Sequence, residues 1–133
     1  MNADLFRKHL ANFGDPQHPE VYADDIVMDF PYAPKHHTGR REGKEAVLGF
    51  LRNVGVYFRD IKIGEPKFHE TTDPNVIIVE FPGQSVSTET GLEYKQNYIT
   101  VATFRNGQIA HMKEYYNPIP VLVSTGEMEE PGG

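Results

Sequence analysis

The segment Lys113 to Pro118, KEYYNP, sets one carboxylate, Glu114, beside two tyrosines at the end of a β-rich run. An acid in apolar surroundings can give or take a proton, because burial penalises its charged form and moves its pKa towards neutrality. The other candidate groups are sparser. His36 and His37 are adjacent, so in an extended segment they point to opposite sides and do not ligate one ion from one face. The chain has neither a His-x-His nor an HExxH spacing, and without cysteine it has no thiolate nucleophile and no Cys-based metal site. A glycine-rich phosphate loop between strand and helix is also missing. These residues point to proton-transfer chemistry with no metal and no cofactor.

The element that must position Glu114 is a long hairpin over Leu92 to Pro118. Asn106-Gly107 favours a two-residue type I′ turn, which pairs Arg105 with Gln108 and Phe104 with Ile109. Counting from there, Thr103 faces Ala110, Val101 faces Met112, Ile99 faces Glu114 and Asn97 faces Tyr116, all on one side. This row reads as the core side, with Asn97 as the nearest polar neighbour of Glu114. The opposite row, Tyr98, Thr100, Ala102 and Phe104 with Ile109, His111, Lys113 and Tyr115, reads as the side that faces water or a second subunit. A bulge within the pair would move every residue beyond it to the other face.

Upstream, Leu5, Phe6, His9, Leu10 and Phe13 recur at helical spacing over residues 3–13, and Gly14 stops the helix. His9 on that stripe reads as a hydrogen-bonded core or pocket-rim residue. A helical turn over Pro19 to Ala23 follows, with Pro near its first position. Asp25 to Tyr32 reads as a strand with Ile26, Met28 and Phe30 on one face. Ala33 to Gly43 reads as a loop. Lys44 to Phe58 reads as the long packing helix, on Val47, Phe50, Leu51, Val54 and Phe58, with Gly55 allowing close approach to a strand. Ile61 to Thr71, Asn75 to Val86 and the hairpin then form an antiparallel meander. The order predicts an α+β domain over residues 1–123, whose bent sheet folds around the helices, and a flexible tail over 124–133.

Composition narrows the partners. The 133 residues carry a formal charge of −6 with scattered cations, which argues against nucleic-acid phosphates. No run approaches the roughly 18 apolar residues of a membrane helix. Charges inside the N-terminal apolar pattern argue against a signal peptide, and the lack of cysteine is compatible with a reducing cytoplasm. The expected partner is a small apolar or aromatic molecule.

Three stretches carry a family resemblance: YADDIVMDFPYAP at Tyr22 to Pro34, the loop and helix start at Gly39 to Leu51, and NYITVATFRNGQIAHMKEYYNP at Asn97 to Pro118. Over Leu5 to Leu122 the chain resembles the SnoaL-like branch of the nuclear-transport-factor-2-like superfamily. The resemblance implies a cone-shaped α+β barrel, with a strongly bent, mostly antiparallel sheet around the N-terminal helices and a pocket between them. Ketosteroid isomerases of that superfamily have an aspartate base where this chain has Phe30, and an oxyanion-donating acid where it has Asn97. KEYYNP is similar to the phenazine-biosynthesis A/B proteins, in which a glutamate near the end of the last strand is the acid/base residue; Glu114 matches it. The implied activity is that of an isomerase, cyclase or dehydratase, with Glu114 and Asn97 catalytic. Phe30, Tyr22, His36, His37, Ile99, Val101, Met112 and Tyr116 would bind substrate. The alternative is a non-catalytic ligand-binding or accessory domain. Related cones often pair through their sheets, which implies a homodimer.

Overall fold

The computed structural model describes residues 2–131. Its centre is the hairpin of β6 (Glu93–Arg105) and β7 (Gln108–Tyr115). Asn106 and Gly107 have φ of 53° and 73°, the left-handed values a type I′ turn requires. Arg105 pairs with Gln108 and Phe104 with Ile109, as the turn dictates. The register then shifts: Thr103 pairs with His111, not Ala110, so Ala110 is an extra residue in β7. This bulge re-phases everything beyond it. Ala102 now faces Met112, Thr100 faces Glu114 and Ile99 faces Tyr115.

The correction falls on all of β6 and on Ile109 of β7, which was expected on the water-facing row and is fully buried before the bulge. Met112 and Glu114 point inwards as expected, but the inward row of β6 is Tyr94, Gln96, Tyr98, Thr100, Ala102 and Phe104, of which all but the half-buried Tyr98 are buried. Asn97 and Ile99 lie exposed on the outer face, with half-buried Val101 beside them. Burying the even row puts three aromatic rings inside, whereas the odd row would have buried Asn97, Lys95 and Glu93; desolvation decides for the even row.

The other strands complete a seven-stranded mixed sheet in the order β2-β1-β7-β6-β5-β3, with β4 also on β5. Here β1 is Tyr22–Asp29, β2 Arg40–Glu42, β3 Phe58–Ile63, β4 Lys67–Glu70 and β5 Val76–Ser87. β1 runs parallel to β7, a crossover that a plain antiparallel meander lacks. β2 falls in the segment expected to be all loop, and a break at residues 64–66 divides the run expected to be one strand over 61–71. Two β-bulges, at Ala110 and in β3 around Asp60 (φ 54°), add local twist and help curve the sheet.

α1 (Asn2–Leu10) and α2 (Lys44–Tyr57) fill the concave side. Phe6, Leu10, Val47, Leu48 and Leu51 join Ile26, Met28, Val79, Phe81, Phe104, Ile109 and Met112 in one core. Gly55 does permit a close approach, but to a loop: a Cβ there would lie 2.4 Å from the Gly14 carbonyl oxygen. A third helix, α3 (Pro118–Ser124), follows the last strand. Asn117 caps it by accepting from the Ile119 N–H at 3.0 Å, and Pro118 occupies its first turn. The boundary expected at residue 123 therefore falls inside a helix. Thr90 ties the end of α3 down by donating to the Ser124 carbonyl at 2.6 Å. Of the remaining expected tail, residues 132 and 133 lie outside the described residues. No helix among the described residues is long and apolar enough to cross a membrane.

Candidate functional site

Glu114 stands on β7 directly opposite Thr100 of β6, both facing the interior. It is 3% exposed, and its Oε1 has no hydrogen-bond partner among the described residues. The Thr100 hydroxyl is likewise buried and unpartnered. Two adjacent polar groups without partners are uncommon, since each forfeits about 1–3 kcal/mol of hydration. Burial pushes the Glu114 carboxyl up to about 8, so it holds its proton at neutral pH yet lies within reach of both protonation states.

Tyrosines surround this acid. Burial first, and the Glu114 charge among smaller causes, raises the pKa of Tyr22, Tyr94, Tyr98 and Tyr116. All four phenols thus remain neutral donors. Phe30 supplies an apolar wall, with its ring 5.0 Å from Phe50 and 6.3 Å from Tyr116. Met112, fully buried, is the next inward residue of β7.

A second polar group reaches the interior from α1. The His9 Nδ1 and the Tyr22 hydroxyl are 2.7 Å apart, and the Asn12 amide donates to the same hydroxyl at 3.0 Å. Asn12 also donates to the His18 carbonyl and accepts from the His18 N–H, which fixes its amide orientation. Burial holds His9 down at about 3, so the ring is neutral, and its Nε2 is buried without a partner among the described residues.

Of the residues expected at the site, Glu114, Met112, Phe30, Tyr22 and Tyr116 are brought to the interior side. The others need correction in place. Asn97 is exposed and pairs with Pro82 on the outer face, so its amide is not the neighbour of Glu114. Ile99, 43% exposed, and Val101 share that outer face. His36 is exposed, and His37 is turned towards Glu127, with Nε2 2.8 Å from Oε1. Pattern reading missed Thr100, Tyr98, Tyr94, Gln96 and Asn12. The available signal was the even alternation of aromatic residues along β6.

An open groove of about 670 Å³ lies beside this interior, with Lys62, Lys95, Gln96, Asn97 and Asn117 among its lining. A smaller one, about 400 Å³, runs between α1 and β3. Neither is lined by Glu114. The unpartnered Glu114 Oε1 and Thr100 hydroxyl, and the raised Glu114 carboxyl, lie in the interior rather than in the larger groove. The groove touches the interior through Gln96.

This geometry is that of a nuclear-transport-factor-2-like cone with an acid in its interior, and comparison with known proteins agrees. The SnoaL-like domain family matches residues 4–112. The chain belongs to that family. It is 36% identical over 114 residues to a PhzA/B-like protein of Pseudomonas aeruginosa, covering 83% of this chain and 77% of that one. It is 33% identical over 107 residues to the Bacillus subtilis protein YesE, covering 80% and 73%. Among solved structures, a Bacillus subtilis protein described provisionally as an isomerase superposes with a TM-score of 0.84 at 29% identity, covering 95% of this chain and 93% of that one. A phenazine-biosynthesis-related protein from Pseudomonas aeruginosa gives 0.76 at 18% identity, covering 98% and 88%, a likeness of fold. The family match ends two residues before Glu114.

Proposed function

We propose that the protein is a small-molecule enzyme of isomerase, cyclase or dehydratase type, in which Glu114 transfers protons to and from a largely apolar cyclic or aromatic substrate. The observation that carries this reading is the buried Glu114 carboxyl, at about 8, with neither its Oε1 nor the Thr100 hydroxyl opposite it partnered among the described residues. A carboxyl kept only for architecture would be expected to have its lone pairs satisfied. The apolar and phenolic walls, with no cation among the named neighbours, suit an uncharged ligand. The fold relatives named for isomerase and phenazine-biosynthesis activities support the same class.

Proton transfer at carbon can be tested without knowing the substrate. A panel of cyclic ketones is incubated with the protein in deuterated water, and exchange of the hydrogens next to the carbonyl is followed by NMR. Wild type should accelerate exchange for some members, and Glu114→Gln should abolish the acceleration. Saturable binding of these ketones without any exchange would overturn the enzyme reading in favour of a non-catalytic binding domain. We also propose a homodimer that forms through the outer sheet face around Ile99 and the exposed Tyr32, whose ring meets Tyr115 at 5.5 Å.

A further inference from the structure

Glu114 is buried and lines neither groove, so a ligand that reaches it must displace part of the protein. The strand pairings show which part. β1 runs parallel to β7 with Asp29 beside Lys113, β7 ends at Tyr115, and Val86 of β5 pairs with Glu93 at the start of β6. The loop between β1 and β2 (residues 30–39), the junction of β7 with α3 and the turn between β5 and β6 (residues 88–92) therefore lie at one end of the sheet, the mouth of the cone. Glu114, next to last in β7, sits just inside that mouth.

One segment bridges the mouth. Its root is Asn117, whose N–H donates to Oε1 of the buried, inward-facing Gln96 at 3.3 Å and whose carbonyl accepts from Gln96 Nε2 at 2.8 Å. This grip draws the chain to the inner side, and α3 packs on β6 with Val121 and Ser124 buried. The Thr90 hydroxyl, in the turn between β5 and β6, holds the Ser124 carbonyl at 2.6 Å. Glu127 Oε1 then accepts from His37 Nε2 at 2.8 Å, in the loop between β1 and β2, and from the Thr125 hydroxyl at 2.6 Å. The step from Ser124 to Glu127 reaches roughly 10 Å at most, so this short run ties the two sides of the mouth together. The larger groove is lined by Gln96, Asn117 and Pro120, and so ends against the same segment.

The segment is firm at its root and weakly held beyond it. A seven-residue helix has little stability of its own, and Pro118 and Pro120 fix two of its φ angles. Elements with few buried contacts open at a lower free energy than the core, and a stiff helix with a fixed root opens as a flap. We propose that α3 with residues 125–127 is a gate over the Glu114 site. It pivots at Asn117, is latched by the Thr90–Ser124 and His37–Glu127 contacts, and on lifting joins the larger groove to the interior. That a substrate takes this route rests on the reading of Glu114 as the site; the pivot and the latch do not.

The chain has no cysteine, so introduced thiols are unique. In the full chain, His37→Cys with Glu127→Cys is bridged across the mouth by a bis-maleimide that contains a reducible disulfide, and reductant later releases the gate in the same sample. An apolar diazo compound, which esterifies protonated carboxyls, is added at pH 7, and peptide mass spectrometry follows the labelling rate at Glu114. Glu127→Ala should raise that rate about threefold, and Glu127→Ala with Thr90→Val about tenfold, as expected for one exposed ionic contact and one further hydrogen bond. The bridge should slow labelling about tenfold or more, and reductant should restore it. Equal rates in bridged and released samples, or in wild type and the latch variants, overturn the gate. Hydrogen exchange decides it without the reagent. The amides of Thr125, Gly126 and Glu127, which donate to the Val121, Val123 and Leu122 carbonyls, should exchange about tenfold or more faster than the paired amides of β6; equal exchange overturns the gate even where Glu114 takes no label. Labelling that follows the gate, together with no exchange of ketone hydrogens, leaves the gate standing and removes the enzyme reading.

Discussion

Replacing Glu114 by glutamine should stabilise the protein near neutral pH. The folded-state pKa is about 8 against 4.5 for an ordinary glutamate. The folded chain therefore keeps a proton that the unfolded chain releases, and stability is fully present below about pH 4.5. It falls by about 1.4 kcal/mol per pH unit as pH rises, then levels off above about pH 8. At pH 7 the loss is about 3 kcal/mol, and at the plateau about 5 kcal/mol. Glutamine has no such dependence. His9 adds a second slope of opposite sign: its pKa is about 3 in the folded protein against 6.5 ordinarily. Its contribution is present above about pH 6.5 and is lost as pH falls towards 3. In wild type the two slopes cancel between about pH 4.5 and 6.5, whereas Glu114→Gln should expose the His9 slope in that window. Urea denaturation of both proteins from pH 4 to 9 gives the difference curve, which should climb with pH. A flat curve would show that burial does not raise Glu114. A loss of several kcal/mol in the mutant at neutral pH would mean an ionised Glu114 paired with a buried cation, and would end the acid/base argument.

Two further outcomes follow from particular contacts. Gly55→Ala sets a methyl group 2.4 Å from the Gly14 carbonyl oxygen, a backbone atom that cannot yield cheaply; thermal melts should show a loss on the order of 1–3 kcal/mol. Wild type should sediment as a dimer at micromolar concentration, and Ile99→Asp as a monomer with its fold intact by circular dichroism; a monomeric wild type would refute pairing through the outer face.

The turn, the strand order after α2 and the inward acid were legible in the chain because each depends on local rules. Asn106-Gly107 selects one turn geometry, and Val47, Phe50, Leu51 and Val54 can share a face only as a helix. The phase of β6 was not legible. It turns on Ala110, which has nothing in its type to mark a bulge, and whose extra residue is felt only when β7 must also run beside β1 and bend. That single insertion exchanged Asn97, Ile99 and Val101 for Tyr98, Thr100 and Ala102 as neighbours of the acid. α3 was hidden for a different reason: its PIPVLVS sequence has two prolines and β-branched residues, so the helix depends on the Asn117 cap and on Pro118 in its first turn rather than on propensity.

The same exchange gives the strongest reason to read the interior as a functional site. Had the outer row faced inwards, Glu114 would have met an amide able to satisfy it, and its burial could have been explained by architecture. It meets Thr100 instead, and neither the Thr100 hydroxyl nor Glu114 Oε1 has a partner among the described residues. Fully apolar replacements at both positions would avoid that desolvation. A fold that tolerates about 5 kcal/mol of penalty at one carboxyl near its plateau, within a total stability of roughly 5–15 kcal/mol typical of domains, holds a group whose value lies outside folding. Under the proposed function, a bound ligand would supply the missing partners. The prediction that glutamine stabilises while abolishing exchange is therefore one claim with two readouts, and neither result alone would establish it.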